Sequence, residues 1–539
     1  SGISANDQVS DSPTDDVDNG IGNYATFNPL ILPTTYSNGN LTAATTGNKG
    51  TGISTIAITP DDTGKYAAEF TVGAVGSASL IGICTDELVG TDSSGYSYFR
   101  GSIGTQYSQN NLNGTISYAN DGTIVSLGAT DSSAPATYTT GDVIRVEVDR
   151  AADTIQFFKG GADQVTIGSL SDRTAFGGNW FFCVGGIANT ISANFGQQGF
   201  AGTPTSGFVG LNTAALPEPA VKDSTKYFQT KLFTGNGTAI GSGGQAVVLS
   251  GNTEMQPDLV WIKDRDTTNH GAITDVARGV TKELDPAVNT QEATVAEGMT
   301  SFNSNGFTVG NDASYNATSS PNVAWCWSAG TGAGSSNEDG STNTTTTSAN
   351  TTSGFSVSTF TTPASGAFTV GHGLDSPPEL VIVKQTDATG GWWTYHKDSN
   401  ANPAGYYWDL QATGGVAPSS TVWNNTAPTS TVVSSTSGGT WLAGSKPHIM
   451  YCWHSVEQYC KVGTMEGNGD VNGTYVHLGF KPAYVWTWSI DSSSNRLQYD
   501  SQRPGYNVNN ETLLSDTVSA EVATNSIDLL SNGFKSRVA

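Results

Sequence analysis

Two short clusters of aromatic residues carry the side chains best suited to chemistry with a ligand. The first cluster is Trp392–His396 and the second is Tyr406–Asp409. Aromatic rings stack on the C–H faces of sugars, while neighbouring Asp and His side chains hold the sugar hydroxyl groups. The pattern therefore predicts a glycan- or receptor-binding site made of Trp392, Trp393, Tyr395, His396, Tyr406, Tyr407, Trp408 and Asp409.

The same clusters could instead fill the core of a β-sandwich. Successive residues of a strand point to opposite faces of the sheet, so Trp392 and Trp393 cannot both point toward one core. The same holds for Tyr406 and Tyr407. We expect one member of each pair to be exposed or to contact a neighbour.

Residues suited to catalysis are sparse. The sequence has no nucleophile elbow, phosphate-binding loop, His-Glu-x-x-His motif or EF-hand loop. A polysaccharide-cleaving enzyme needs paired carboxylates beside a sugar groove, and the carboxylates nearest to aromatic residues are Asp258, Asp264, Asp266 and Asp409. Only Asp258 is echoed in the repeats described below, by Glu379. We predict no catalytic residue and no enzymatic activity.

Histidines and cysteines form no metal-binding pattern. His448 and His454 flank one apolar run without a third ligand type, and His372 and His477 occupy matching places before two strands, which favours structural hydrogen bonding. The five cysteines form no Cys-x-x-Cys spacing. We expect mostly buried free thiols, no metal site and no cofactor.

Composition and charge indicate several folded β domains. The chain has 539 residues, too many for one core, and its 12 Trp, 19 Tyr and 20 Phe are too many for a disordered protein. The net charge of −24, without a basic run, argues against nucleic acid and against an anionic membrane. No apolar run is long enough to span a bilayer. With no initiator Met, Ser1 is expected to be a processed end or the start of a fragment.

Residues 36–205 are dense in strand patterns. Tyr66–Val72 and Gly141–Asp149 alternate between apolar and polar residues, and Thr154–Gly161 and Ile191–Gly196 follow them. The order of these segments resembles the SPRY and concanavalin-type jelly roll, in which two antiparallel sheets stack. The resemblance implies a lectin-like β-sandwich in this part of the chain.

Three matching runs follow the jelly roll. Pro257–Lys263, Pro378–Lys384 and Pro482–Trp488 each place a Pro at the beginning of an apolar strand, where its missing N–H does no harm. Val323–Trp327 closes the first unit and Ile449–Trp453 closes the second. The matching strand of the third unit would fall beyond the last residue. Either the chain was cut or a neighbour supplies the strand, because an open strand position favours strand addition.

The fold class that follows is all-β, with a jelly-roll (concanavalin/SPRY-like) sandwich followed by three tandem β-sandwich-like repeat units, the last incomplete. The Gly/Ser/Thr/Asn-rich tract between the first two repeats lacks core-forming residues, which predicts a flexible linker. The predicted divisions are an extended arm at 1–35, the jelly roll at 36–205, a linker at 206–223, the first repeat at 224–330, a linker at 331–351, the second repeat at 352–455 and the third repeat at 456–539.

The arm at Asn23–Leu30 and the repeats resemble segments of marine phage tail-fibre-like virion proteins. The resemblance implies an adhesive structural protein on the surface of the extracellular virion, with other virion proteins and a host cell-surface glycan as partners. It also implies a homo-oligomer, with a trimer as the first expectation. A polysaccharide-depolymerising tailspike, a head-decoration protein and an extracellular filament subunit joined by strand donation are the alternatives.

Overall fold

The computed structural model consists almost entirely of β-strands and turns. It forms two units, the first reaching Glu218 and including residues from 466–479, and the second built from Pro219–Met465 and the residues from Phe480 onwards. In the part that is described, no helix is long and apolar enough to cross a membrane. The described residues are 22–30, 34–45, 49–60, 62–76, 78–85, 89–91, 97–99, 115–126, 129–131, 135–171, 178–330, 332–439, 441–467, 469, 473–504 and 506–537.

The first unit is a sandwich of two antiparallel sheets. Its strands up to Gly210 are β1 (Thr35–Ser37), β2 (Thr42–Ala44), β3 (Lys49–Ile53), β4 (Lys65–Ala74), β5 (Ala78–Thr85), β6 (Val89–Thr91), β7 (Ser97–Phe99), β8 (Thr115–Ala119), β9 (Ile124–Ser126), β10 (Ala129–Asp131), β11 (Val143–Asp149), β12 (Thr154–Lys159), β13 (Ala162–Ile167), β14 (Trp180–Ile187), β15 (Thr190–Asn194) and β16 (Val209–Gly210). One sheet has the order β1-β2-β15-β4-β11-β12-β13 and the other has the order β10-β9-β8-β5-β14-β3.

The sheets enclose a core that follows the strand alternation predicted from the sequence. In β11, Ile144, Val146 and Val148 lie in the buried cluster between the sheets. Arg145 and Glu147 point to the opposite face, where the Arg145 Nε donates to Glu147 Oε1 at 2.9 Å. The predicted all-β fold with a jelly roll is confirmed.

Segments on both sides of the jelly roll are built into it. Phe27, from the predicted arm, is fully buried, and its ring centroid lies 5.8 Å from that of Phe195. Leu211 is also fully buried, and the preceding strand β16 pairs in parallel with β4. The segment predicted as a linker at 206–223 therefore begins as part of the sandwich, because it supplies a core side chain. Residues 1–21 and 31–33 of the predicted arm lie outside the described residues.

The first repeat has a main sheet and a smaller second layer. Its elements are β17 (Phe228–Thr234), β18 (Gln245–Val248), β19 (Leu259–Asp264), β20 (Ala272–Asp275), β21 (Lys282–Glu283), β22 (Ala293–Thr294), β23 (Met299–Asn303), β24 (Gly306–Val309), α1 (Ala313–Asn316) and β25 (Pro321–Trp327). The main sheet has the order β17-β25-β19-β20, and the second layer has the order β18-β24-β23. Val260, Phe307 and Cys326 belong to the apolar cluster of this repeat.

The second repeat has the same plan and begins earlier than its sequence indicates. Its strands are β26 (Thr344–Asn350), β27 (Phe355–Thr361), β28 (Gly366–Gly371), β29 (Leu380–Gln385), β30 (Trp392–His396), β31 (Tyr406–Asp409), β32 (Ala417–Pro418), β33 (Val432–Ser437) and β34 (Pro447–Trp453). The main sheet has the order β26-β27-β34-β29-β30-β31-β32, and β28 pairs with β33.

Strand β26 corrects the predicted flexible linker at 331–351. It pairs with β27 along Thr344–Asn350. The hydroxyl groups of Thr347 and Ser358 lie 3.0 Å apart and hydrogen-bond across the two strands. Hydroxyl pairs replace apolar contacts here, so a strand forms where the hydrophobic pattern is absent.

The third repeat is a single sheet in the part of the chain that the structure describes. After β35 (Tyr475–His477), which belongs to the first unit, come β36 (Tyr484–Thr487), β37 (Leu497–Asp500), β38 (Asn509–Leu514), β39 (Val522–Leu530) and β40 (Gly533–Ser536). The last five strands lie in the order β36-β37-β38-β39-β40.

The three repeats share one strand register, which supports their predicted homology. In each, the Pro-led strand pairs with the next strand of the chain, and in the first two it also pairs with the closing strand. The opposed residues are Trp327, Leu259 and Asp275 in the first repeat, Trp453, Leu380 and His396 in the second, and Tyr484 and Asp500 in the third.

The main sheets of the three repeats pack together around one aromatic cluster. Trp325 and Tyr451 are buried in this shared cluster, and Tyr484 and Trp486 of the third repeat pack against it. The ring of Trp261 lies edge-on to that of Trp486, with 5.5 Å between their centroids. One face of each main sheet thus packs against the other repeats. The opposite face is covered by the second layer of the same repeat or lies at the surface.

Candidate functional site

A solvent-open cavity of about 500 Å³ lies in the second repeat, beside the start of β31. Its volume is within the range of small-molecule sites, about 300–1,000 Å³. Two aromatic residues, two asparagines and several hydroxyl side chains face it. The lining residues are Asn402, Gly405, Tyr406, Pro418, Ser419, Ser420, Thr421, Asn425 and Trp441.

Tyr406 is placed by a tight connection between β30 and β31. A single 3₁₀ turn at Pro403–Gly405 begins with Pro, whose fixed φ suits the first position of a helical turn. Tyr406 then starts β31, directly opposite Pro418 of β32. The Ser419 N–H donates to the Gly405 carbonyl at 2.8 Å, which holds the two walls of the cavity together.

Asn425 reaches the cavity through an unusual turn. Asn424 and Asn425 have φ values of 50° and 49°, in the left-handed region that Asn tolerates better than most residues. The turn is fixed because Asn424 N–H donates to the Thr421 carbonyl and Thr426 N–H to the Trp423 carbonyl. The Asn425 side chain is exposed and free to meet a ligand.

Trp441 comes from the loop between β33 and β34. Its carbonyl accepts a 2.7 Å hydrogen bond from Trp393 Nε1. Its ring lies edge-on to Trp393 at 4.9 Å and 4.6 Å from the ring of Tyr407, measured between centroids. Two residues from the predicted binding clusters therefore form the support behind Trp441.

The structure excludes half of the predicted binding residues from contact with a ligand. Trp392, Tyr395, His396 and Trp408 are buried. The face of the hairpin that carries Trp392 and Trp408 is covered by the neighbouring repeats: Trp392 Nε1 donates to the Val288 carbonyl at 3.0 Å. These four residues are core residues, which corrects the prediction made for them.

The remaining four predicted residues occupy different positions relative to the cavity. Tyr406 lines the cavity, while Trp393 and Tyr407 are half-buried behind it. Asp409 is engaged by the backbone, because the Trp392 N–H donates to its Oδ1 at 2.9 Å and burial raises its pKa. Trp392, the first of the two consecutive Trp residues, contacts the first repeat through Val288.

The other carboxylates weighed for catalysis are structural. Asp258 is fully buried and accepts from the N–H groups of Ala329 and Gly332, at 2.7 and 3.0 Å. Asp264 accepts from the Ser320 hydroxyl at 2.6 Å. Asp266 is exposed. None of the three lines the cavity described above.

Two of the histidines considered for metal or acid–base chemistry, His372 and His448, are buried. His372 is buried, its Nδ1 accepts from the Leu374 N–H at 3.1 Å, and its Nε2 donates to the Thr429 carbonyl at 3.1 Å. Burial lowers the pKa of His448 to about 4. Across the described ranges, no group of three His, Cys, Asp or Glu side chains could hold a metal ion.

The cavity therefore presents a neutral surface that includes two aromatic residues. Among the described residues, its lining contains no Asp, Glu, Lys, Arg or His. Tyr406 and Trp441 contribute aromatic side chains to the lining, and the two amides and the hydroxyl groups offer both donors and acceptors. Such a surface suits a neutral polyhydroxylated ligand, and it lacks an acid–base pair for hydrolysis.

Sequence reasoning missed Trp441, Asn402, Asn425 and the 418–421 segment. Trp441 lies far along the chain from Tyr406, and only the fold brings them together. The available signal is a single Trp after a Gly-Gly-Thr run, which indicates an aromatic residue held on a loop rather than in a strand.

A known protein family matches the part of the chain that contains the repeats. Residues 223–539 match the family described as "Domain of unknown function (DUF7483)". No curated protein matches the chain. Among solved structures, it is similar to the SPRY domain of human HERC1 (16% identity, 31% of this chain and 96% of that chain, TM-score 0.24), to stonustoxin (13% identity, 32% and 27%, TM-score 0.23) and to a human SPRY domain (14% identity, 30% and 94%, TM-score 0.21).

Proposed function

This chain belongs to the family described as a domain of unknown function, DUF7483, and we propose that it is a non-enzymatic structural protein that attaches to surface glycans. The observation that carries the proposal is the neutral cavity between Tyr406 and Trp441. The second repeat would hold a neutral sugar there, with the aromatic rings against its C–H faces and the amides of Asn402 and Asn425 on its hydroxyl groups.

The rigidity of the cavity supports binding. Its walls are fixed by the Ser419–Gly405 backbone hydrogen bond, by the Asn424 turn and by the Trp393–Trp441 hydrogen bond. A site whose shape exists before the ligand arrives loses little conformational entropy on binding. Weak contacts with a neutral sugar therefore translate into useful affinity, and a repeated surface would increase it through multivalency.

The chemistry of the lining favours binding over cleavage. Glycoside hydrolysis uses two carboxyl groups on either side of the scissile bond. The cavity lining has none, and Asp409 on the same strand already accepts hydrogen bonds from the Trp392 N–H and from Gln411 Nε2. A depolymerising tailspike remains the alternative, and it would need a catalytic site elsewhere.

The proposed setting is the surface of a virion, as a tail fibre or another appendage. Support comes from the resemblance of the arm and repeats to tail-fibre-like proteins, and from the acidic, aromatic-rich composition. We propose other virion proteins as partners and a homo-oligomer, with a trimer as the first arrangement to test. Antibody labelling of intact particles tests the location, and light scattering at micromolar concentration tests the oligomer.

Glycan binding is tested with the whole chain on an array of neutral and acidic oligosaccharides. We expect binding to neutral glycans and, for Tyr406→Ala, a loss of affinity of at least about tenfold, because one stacking face disappears. Tyr506→Ala is the matched control, since Tyr506 is 77% exposed but lies in the third repeat. Equal loss in both variants, binding only to acidic glycans, or release of oligosaccharides from a polymer would overturn the proposal.

A further inference from the structure

The closing strands of the first two repeats are nearly interchangeable. β25 and β34 each have seven residues, begin with Pro and end in an aromatic residue, Cys and Trp. Alternate side chains divide in the same way: Val323 and Trp325 enter the shared aromatic cluster, as do Ile449 and Tyr451. The strand therefore has a defined sequence pattern and a defined orientation.

Each closing strand is held along the full length of its Pro-led strand. In the first repeat the ladder begins with the Asp258 N–H donating to the Trp327 carbonyl at 2.7 Å and ends with the Arg265 N–H donating to the Pro321 carbonyl at 2.9 Å. The second repeat has the two equivalent backbone hydrogen bonds, made by different residues. They are Glu379 N–H to the Trp453 carbonyl at 2.8 Å and Thr386 N–H to the Pro447 carbonyl at 3.1 Å.

The third repeat has the acceptor strand of this ladder without its partner. Among the described residues, β36 pairs with β37 alone. The opposite edge of β36 carries the backbone groups that correspond to those bound by β25 and β34. An unpaired strand edge is a template for another strand.

The third repeat lies in the same relation to its neighbours as the first two do to theirs. Gly390 N–H donates to the Asn289 carbonyl between the second and first repeats, at 2.8 Å. Ser494 N–H donates to the Thr413 carbonyl between the third and second, also at 2.8 Å. These two bonds join equivalent loops, and Glu521 N–H donates to the Arg265 carbonyl between the third and first repeats, at 2.8 Å, which closes the cycle.

The fifth residue of each closing strand reaches across this cycle. Tyr451 donates through its hydroxyl to Asp275 of the first repeat at 2.6 Å, and Trp325 donates through Nε1 to Asp500 of the third at 3.2 Å. His396 holds the corresponding register position in the second repeat. A third closing strand on β36 would direct its fifth side chain toward His396.

We infer that the outer edge of β36 is a binding site for an extended polypeptide strand of the closing type. The strand it fits has seven residues in the order Pro, any residue, Val or Ile, Ala or Met, an aromatic residue, Cys and Trp. Main-chain hydrogen bonds to β36 would provide affinity, and alternate apolar side chains would provide specificity. This surface is separate from the sugar cavity and does not depend on the proposed function.

A disulfide test reads out both occupancy and register. Cys326 lies opposite Val260 in β19, and Cys452 lies opposite Val381 in β29; Val485 is the equivalent residue of β36. Directly opposed residues have Cα atoms about 4.5–5.5 Å apart, which suits a disulfide. A peptide with the sequence of residues 319–329 is therefore expected to cross-link to the whole chain carrying Val485→Cys under mild oxidation.

Matched controls separate this result from nonspecific thiol chemistry. Thr487→Cys places a thiol two residues along the same edge, where the peptide Cys is out of register, and the unchanged chain controls for Cys460. A peptide with Pro in place of the residue at 324 should bind the unchanged chain at least about tenfold more weakly by fluorescence anisotropy, because Pro disrupts the ladder. Equal cross-linking at both positions, no cross-linking at Val485→Cys, or equal binding of both peptides would overturn the inference.

Discussion

The two faces of the β30–β31 hairpin carry the same kinds of side chain but have different surroundings. On one face, Trp392 and Trp408 are buried beneath the neighbouring repeats. On the other face, Trp393 and Tyr407 lie behind Trp441, which borders an open cavity together with Tyr406 at the start of β31. The difference is not in residue type; it comes from which face the neighbouring repeats cover.

The comparison separates the faces that hold the tandem array together from the parts of each repeat that stay accessible. Each repeat contributes one aromatic face to the shared cluster, so that face is unavailable to ligands. The loop residues around the cavity lie outside this cluster. Substitutions on the covered face should therefore affect unfolding, and substitutions at the cavity should affect binding.

The largest effect is expected from Trp392→Ala. Removal of this buried ring should lower the free energy of unfolding of the second unit by about 3–5 kcal/mol, because it leaves a cavity and an unpaired Val288 carbonyl. Chemical denaturation followed by tryptophan fluorescence measures the change. A loss below about 1 kcal/mol would mean that the covered face is not part of the core.

Acid should act on the covered face through His396. Burial lowers the pKa of His396 to about 4, below its ordinary value of about 6.5. The neutral form is favoured in the folded state, so its contribution is complete above pH 6.5 and is lost as the pH falls toward 4. The expected loss is up to about 3 kcal/mol.

The control for this pH dependence is a histidine with the opposite shift. A hydrogen bond to Glu283 raises the pKa of His270, so its contribution is present below pH 6.5 and is lost as the pH rises through the raised value. We compare the unfolding free energy of each variant from pH 4 to 8 with that of the unchanged chain. His396→Gln should remove the part of the free energy that rises with pH, and His270→Gln should remove the part that falls with pH. Unchanged slopes in His396→Gln would contradict the assignment.

A smaller effect is expected where the first and second repeats meet. Tyr451→Phe removes the hydroxyl that donates to Asp275, whose carboxylate also pairs with Arg278 at 2.7 Å. Loss of a hydrogen bond to a charged group should cost about 1.5–3 kcal/mol. Tyr395→Phe is the control, because its hydroxyl makes no hydrogen bond among the described residues; equal losses would argue against this contact.

The sequence was most informative where the same pattern of buried residues recurs in successive strands. The registers of Leu259, Leu380 and Tyr484 could be matched because Pro-led apolar runs recur. It was least informative where hydrogen bonds replace apolar burial, as in β26, whose Thr- and Ser-rich sequence looks like a linker. Local alternation also could not show that both faces of β30 would be covered.

The cavity was predictable only in part for a related reason. Tyr406 belongs to a conspicuous aromatic run, whereas Trp441 and Asn425 reach the same space from separate loops. Their approach depends on the left-handed turn at Asn424–Asn425 and on the hydrogen bond from Trp393 to Trp441. Neither feature has a periodic signature.

The smallest effect on stability is expected from Tyr406→Ala. The Tyr406 side chain is half-buried at the start of β31, beside the open cavity, so the free energy of unfolding should fall by less than about 1 kcal/mol. Thermal unfolding of this variant beside Trp392→Ala would show the contrast between the covered face and the cavity. Equal destabilisation would remove the distinction.

The most direct measurement is a crystal structure of the chain soaked with a neutral oligosaccharide selected on the array. The account predicts a sugar ring packed between Tyr406 and Trp441, with its hydroxyl groups on Asn402 and Asn425. A sugar bound elsewhere, with this cavity empty at saturating concentration, would contradict it.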